Sequence, residues 1–211
     1  MKIDLHCHTL PLSTCSAIKI DDLIPRAKEA GLDGICLTEH NKLWPKEEVL
    51  HLREKFDFPI FRGMEVTTRD GDILVFGVEE EPNEIISAAE LRKQVSDSGG
   101  YMVVAHPFRG FLVFNFVQLS LSPERAAGRP VFQSVDAIEA YNSKITEQET
   151  TMALDVSARV NLPCVAGSDA HVLDDVGKYY THFAQVVQTD EDLLAQLHAG
   201  NFSIHSSEKE S

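Results

Sequence analysis

Short β-branched and aromatic runs alternate with stretches of helical pattern along almost the whole chain, and this alternation constrains the fold more than any other feature. The strand-like runs are residues 2–7, 34–38, 60–67, 73–78, 101–105, 137–141, 164–167 and 183–187. Helix signals lie between them. Ser87 with Glu90 and Thr146 with Glu149 have the capping-box spacing, Gly99-Gly100 closes the helix that Ser87 opens, and Thr189 and Gly200 bracket a last helix. Asp21 or Asp22 can cap the first helix, with Pro25 in its opening turn, and Pro45 suits the first position of the second. Strands alternating with helices imply an α/β fold with a mostly parallel sheet, open or closed into a barrel. The runs 60–67 and 73–78 are expected to break the repeat, because 68–72 reads as a hairpin turn.

The 211 residues show no internal repeat and no Pro/Ser-rich linker, so a single domain over 1–205 with a polar C-terminal tail at 206–211 is expected. There are 19 Lys or Arg against 33 Asp or Glu, a net charge of −14. That excess disfavours long nucleic acid and anionic membrane as partners. A small phosphorylated substrate stays open, since bound cations can reverse the sign inside one pocket. The four cysteines show no CxxC spacing, which fits reduced thiols and a cytoplasmic protein. No signal peptide is apparent. The longest apolar stretch, 110–121, is interrupted by Asn115 and Gln118 and is shorter than the ~20 residues of a membrane span.

Side chains of a regular strand alternate between faces, so Ile3, Leu5 and Cys7 should share one face and Asp4, His6 and His8 the other. Two histidines at i and i+2 can hold one metal ion, or can simply be hydrogen-bonded to each other at a surface. Recurrence favours the metal. His40 follows the run 34–38, Glu65 lies near the end of 60–67, His106 follows 101–105, and Asp169 and His171 follow 164–167, again two apart. In parallel α/β barrels the C-terminal strand ends converge on one rim, where active sites are built. Five of the nine histidines stand at such ends. Mixed imidazole and carboxylate ligands suit zinc, manganese or iron and would be odd for calcium.

Asp4-Leu5-His6-Cys7-His8-Thr9, Thr38-Glu39-His40-Asn41, Gly63-Met64-Glu65, Ala105-His106-Pro107 and Gly167-Ser168-Asp169-Ala170-His171 resemble, in order, the motifs of the polymerase and histidinol phosphatase (PHP) family. The likeness runs from Met1 to the neighbourhood of Phe202. It implies a distorted (β/α)7 barrel, two or three divalent transition-metal ions, and hydrolysis of a small phosphomonoester or nucleotide-type ester by a metal-bound hydroxide. His6, His8, Glu65 and Asp169 resemble the ligands of a first metal. Glu65 would bridge to a second metal held also by His106, and His40 and His171 resemble ligands of a third. Where many members read Gly-His-Ile-Leu, this chain reads Gly71-Asp72-Ile73-Leu74, which makes Asp72 an oxygen ligand of the second metal. The remaining third-metal ligand falls in 13–16, where Cys15 is the one strong metal-binding type.

His171 and His40 are the candidates for protonating a leaving group. Arg109, three residues past His106, and Asn142, just past 137–141, are the candidates for binding substrate. Asp4 is either a partner that orients a ligand imidazole or a buried structural carboxylate. Glu139 reads as internal structure, and Glu39 as structural or supporting, pointing away from His40. The apolar segment 111–121 reads as a lid, a self-association patch or a buried element. Two other functions stay open: a metal-binding or regulatory module without turnover, and an amidohydrolase-type hydrolase, which usually bridges its metals with a modified lysine. Oligomeric state is not readable.

Overall fold

A computed structural model describes residues 1–110 and 122–207. The segment 111–121, with the roles considered for it, lies outside the described residues. The elements are β1 (Lys2–Cys7), α1 (Ile20–Glu29), β2 (Gly34–His40), α2 (Lys46–Phe56), β3 (Ile60–Thr68), β4 (Gly71–Phe76), α3 (Ala88–Asp97), β5 (Tyr101–Val104), α4 (Pro123–Ala127), β6 (Ala137–Tyr141), α5 (Glu147–Val160), β7 (Cys164–Ala166), β8 (Tyr179–Phe183), α6 (Asp190–Ala199) and β9 (Phe202–Ser206).

The sheet order is β7-β6-β5-β4-β3-β2-β1-β8-β9. β1, β2 and β3 run parallel, as do β5, β6 and β7, and β4 is antiparallel between the two groups. The expected hairpin is therefore present. The sheet curls until its ends meet: Cys7 bridges Ala170 just beyond β7, and the His8 amide donates to the Ala170 carbonyl at 3.1 Å. β1 thus divides its pairing, with Lys2 and Ile3 against β8 and its far end against the segment after β7. The result is a mixed α/β barrel, nearly closed.

Capping follows the sequence at three helices: Ser87 with Glu90, Thr146 with Glu149, and Thr189 with Asp192 all form reciprocal boxes. Two expectations are corrected. The cap of α1 is Lys19 with no side-chain bond, while Asp21 and Asp22 lie in its first turn and favour the helix dipole. Pro45 is the cap of α2 and not its first residue.

The eighth strand is displaced to Tyr179–Phe183, and β9 extends the sheet to Ser206, one residue into the expected tail. The apolar residues Phe183 and Val187 still enter the core, but Val186 is exposed, so the run 183–187 is not one regular strand.

The alternation expected for β1 also fails. From Asp4 to Cys7 β1 takes three steps while its partner β2 takes two, from Ile35 to Leu37. The extra residue is a β-bulge that interrupts the period of two. Ile3 and Leu5 consequently pack with Phe61, Leu74, Val103 and Phe183, whereas Cys7 packs with Leu23, Ile24 and Leu37 beneath α1. The bulge puts His6 and His8 on the same interior as Leu5, and turns Asp4 and Cys7 away. Among the described residues no helix is long and apolar enough to cross a membrane.

Candidate metal centre

Five imidazoles and three carboxylates converge where the parallel strands end. His6 Nε2 and His8 Nε2 lie 3.0 Å apart. Asp169 Oδ1 stands 3.5 Å from the first and 3.3 Å from the second. Glu65 Oε2 faces the same two nitrogens at 3.5 and 3.3 Å, and His40 Nδ1 at 2.9 Å. The other oxygen of Glu65 meets His106 Nε2 at 2.9 Å, with Asp72 in the same group. His8, His40 and His171 form a further group, the His8 ring centroid 4.3 and 4.4 Å from those of the other two. Glu65 therefore stands at the junction of the groups.

Local backbone brings these side chains inward. His106 has φ +29° and Asp169 φ +52°, left-handed conformations that a side chain rarely adopts and that turn each residue off the line of its strand. Gly167 lets the end of β7 close on β1, since a Cβ there would sit 2.5 Å from His6 Cβ and 2.7 Å from the His6 nitrogen. Asn41, at φ +53°, ties β2 to β3: its amide donates to the Glu65 carbonyl at 2.8 Å, and its side-chain oxygen accepts from Thr67 at 2.9 Å.

The outer ring nitrogens are held as well. Glu139 Oε1 takes His6 Nδ1 at 2.8 Å, and its Oε2 accepts from the His106 amide at 2.9 Å. Ser13 Oγ stands 3.2 Å from His8 Nδ1, and His171 Nδ1 lies 3.0 Å from the Asp169 carbonyl. Such partners fix the ring orientation and, for His6, leave Nε2 as the lone-pair atom facing the centre.

Electrostatics follow. Burial alone would pull the His6 pKa down, but Glu139, Asp169 and Glu65 outweigh it and push it well above its usual range. His8 is raised too, with burial overcome by Asp169 and Glu65. Burial works to raise Glu65 and Asp169, yet His6, His106 and His40 hold Glu65 well below the ordinary carboxylate range, and His6 and His8 do the same for Asp169. His171 is lowered by burial, with His8 and His40 adding to the effect.

The donor set fits divalent metal. Glu65 Oε2 is sealed from solvent, yet none of the nitrogens around it approaches along a hydrogen-bonding direction among the described residues. A buried carboxylate oxygen normally has such a partner. A cation satisfies both this oxygen and the crowded imidazole nitrogens.

A family profile described as PHP-associated matches residues 148–202. Three solved structures align over nearly the whole chain. One, from Bifidobacterium adolescentis, is described provisionally as a metal-dependent phosphoesterase (TM-score 0.62, 17% identity, 93% of this chain and 95% of that one). PsfC from Pseudomonas syringae aligns with TM-score 0.65 and 19% identity over 97% and 91% of the two chains. The fold is a PHP-type barrel. An amidohydrolase from Chromobacterium violaceum, with bound sulfate and no metal, also aligns (TM-score 0.62, 16% identity, 100% of both chains). Two uncharacterized proteins of Methanocaldococcus jannaschii are also similar. One is 27% identical over 92% of this chain and 75% of its own length, the other 25% over 68% and 82%.

Within this PHP barrel the structure brings His6, His8, His40, Glu65, Asp72, His106, Asp169 and His171 together, all in groups able to share an ion. Cys15 is exposed and belongs to none of those groups among the described residues, while Ser13 from the same segment reaches the centre. Asn142 is buried, its amide donating to Glu139 at 2.9 Å and to Asp169 at 3.5 Å, so it braces carboxylates of the centre. Arg109 is paired with Asp169 Oδ2 at 2.8 Å while its side chain stays 39% exposed.

Asp4 accepts the backbone amides of His6, Ser168 and Gly177 and touches no imidazole, so it is structural. Glu39 points outward to Thr9 and Trp44. Glu139 is the residue that sequence reasoning missed. Its signal was a carboxylate inside the otherwise apolar strand Ala137–Tyr141, for which a buried partner had to exist. A cavity of about 230 Å³ borders His106 and Asp72, with Arg109 and Arg129 in its wall. A larger one of about 580 Å³ lies against α3 and residues 78–86 and includes none of the converging histidines.

Proposed function

We propose that this protein is a metal-dependent phosphoesterase acting on a small phosphomonoester or nucleotide-type phosphate ester. The observation that carries the reading is Glu65, a buried carboxylate with one oxygen among His6, His8 and His40 and the other on His106. When bound, two or three zinc, manganese or iron ions supply Lewis acidity and an activated water. His6, His8 and Asp169 would hold one ion, Glu65, Asp72 and His106 a second, and His40 and His171 would contribute to a third.

Arg109 is the anion contact, because its exposed fork at the rim matches phosphate oxygens in a bidentate way. Depression of its pKa suits His171 to ligation. His40, with 39% of its side chain exposed, is better placed to pass a proton to the leaving oxygen when no third ion engages it. The net charge of −14 weighs against long polyanions as substrates. Amide hydrolysis has less support, because the carboxylate at the junction comes from glutamate and not from a modified lysine.

The test is phosphate release from a panel of small phosphomonoesters, and alcohol release from one phosphodiester, with Mn²⁺ and with a chelator. We expect metal-dependent release, lost in His8→Ala and Asp169→Ala. A folded His8→Ala protein with full activity, or no release by metal-loaded protein, would overturn the assignment.

A further inference from the structure

Arg129 follows α4 and carries none of the chemistry above, yet its guanidinium reaches two loops that matter. One nitrogen donates to the Pro107 carbonyl at 2.9 Å and another to the Asp70 carbonyl at 3.1 Å, and the fork lies over the Phe132 ring at 5.9 Å. Pro107 is the neighbour of His106, and Asp70 is two residues before Asp72. The strands beneath are already joined, with Ile73 opposite Val104 and the Ala105 amide on the Asp72 carbonyl at 2.9 Å. Beyond that point the chain leaves the ladder: His106 takes a positive φ and Asp70 sits in the hairpin turn. No ladder bond sets the distance between the two loops there; a planar fork donating in two directions does.

We infer that Arg129 is a positioning residue for one half of the centre, fixing the spacing of His106 and Asp72 and thereby the affinity for the cation they share with Glu65. The inference rests on the metal-centre reading above. The other half is positioned by contacts that do not involve Arg129: Glu139 on His6, Ser13 on His8 and the close approach at Gly167. Loss of Arg129 therefore acts on one ion and spares the other.

The experiment uses the full chain, stripped by chelator and titrated with Mn²⁺ or Zn²⁺, with bound metal counted per chain and each affinity read from the isotherm. Arg129→Gln is compared with Arg92→Gln. Arg92 makes a similar tie, to the Ser134 carbonyl at 2.8 Å and to Asp136 at 2.6 Å, but holds no ligand-bearing loop. In Arg129→Gln we expect one ion to lose about 10-fold to 100-fold in affinity, in the range known for groups that orient metal ligands, while the other is unchanged. Arg92→Gln should lower the melting temperature and keep both ions. Arg129→Lys, which keeps the charge and loses the fork, should repeat the selective loss and decides the matter if the glutamine variant does not fold.

Wild-type affinity for both ions in the Arg129 variants, or equal weakening of both, would overturn the inference and leave the metal centre standing. A wild-type protein that takes up neither metal would overturn both.

Discussion

Glu139 serves two ligands with its two oxygens, one receiving the His6 ring and the other the His106 amide. Glu139→Gln keeps the shape and removes one acceptor, so one of these donors meets an amide hydrogen. If the His6 ring is the one displaced, its Nδ1–H loses its anchor and the tautomer that aims Nε2 at the centre is no longer selected. Metal affinity is expected to fall about 10-fold to 100-fold. The unmade buried hydrogen bond should cost the metal-free protein about 1–3 kcal/mol. A metal-binding isotherm and a melting curve check the two parts separately, and unchanged affinity would count against the orienting role. The ligands themselves were legible because their types recur at strand ends. Glu139, Ser13 and Asn142 were not, because a hydrogen-bond partner has no fixed spacing from the group it orients.

At the scale of elements, β1 shows where pattern reasoning stops. Its composition predicts a strand, but a single inserted residue changes which side chains share a face, and nothing in six residues marks the insertion. The same limit hid β8 and β9. β8 pairs with β1 and β9 with β8 through thin patterns such as Tyr179–Phe183, in which Thr181 is buried for its bonds to Ala166 rather than for its hydropathy. The parallel strands were legible because burial on both sides makes them nearly continuous apolar runs. The junction of β1 with β7 carries its own prediction. Gly167→Ala would set a methyl group against the backbone and Cβ of His6, which have no rotamer through which to yield. The two segments must separate, straining the His8–Ala170 bond. A cost of about 1–3 kcal/mol is expected, seen as a fall in melting temperature of about 2–4 °C per kcal/mol for a chain of this size. Weaker metal binding should accompany it. A variant with wild-type melting temperature and metal content would show that the close approach is dispensable.

For the whole molecule, the buried centre makes stability depend on pH in opposite ways with and without metal. In the metal-free protein His6 and His8 have raised pKa values. Their contribution is fully present below the ordinary value of 6.5 and is lost as pH rises through the folded-state values above it. Glu65 and Asp169 have depressed values, so their contribution is present above about pH 4 and is lost as pH falls through the lower folded-state values. The centre of the metal-free barrel is therefore most stabilising between about pH 4 and 6.5 and weakens in alkali. A metal ion must displace the protons on those imidazoles, so affinity rises through the same alkaline window and binding releases protons. Metal at 100 times its dissociation constant stabilises by about 2.7 kcal/mol, and that excess grows as the constant falls. The expected outcome is a gap between melting temperatures with Mn²⁺ and with chelator that is small near pH 5.5 and widens toward pH 8.5. Because the chain carries a net charge of −14, each buried cation also relieves overall repulsion, but that relief varies little across this window and cannot produce the slope. A gap that stayed constant or narrowed with rising pH would mean that the imidazoles of His6 and His8 are not where the metal binds.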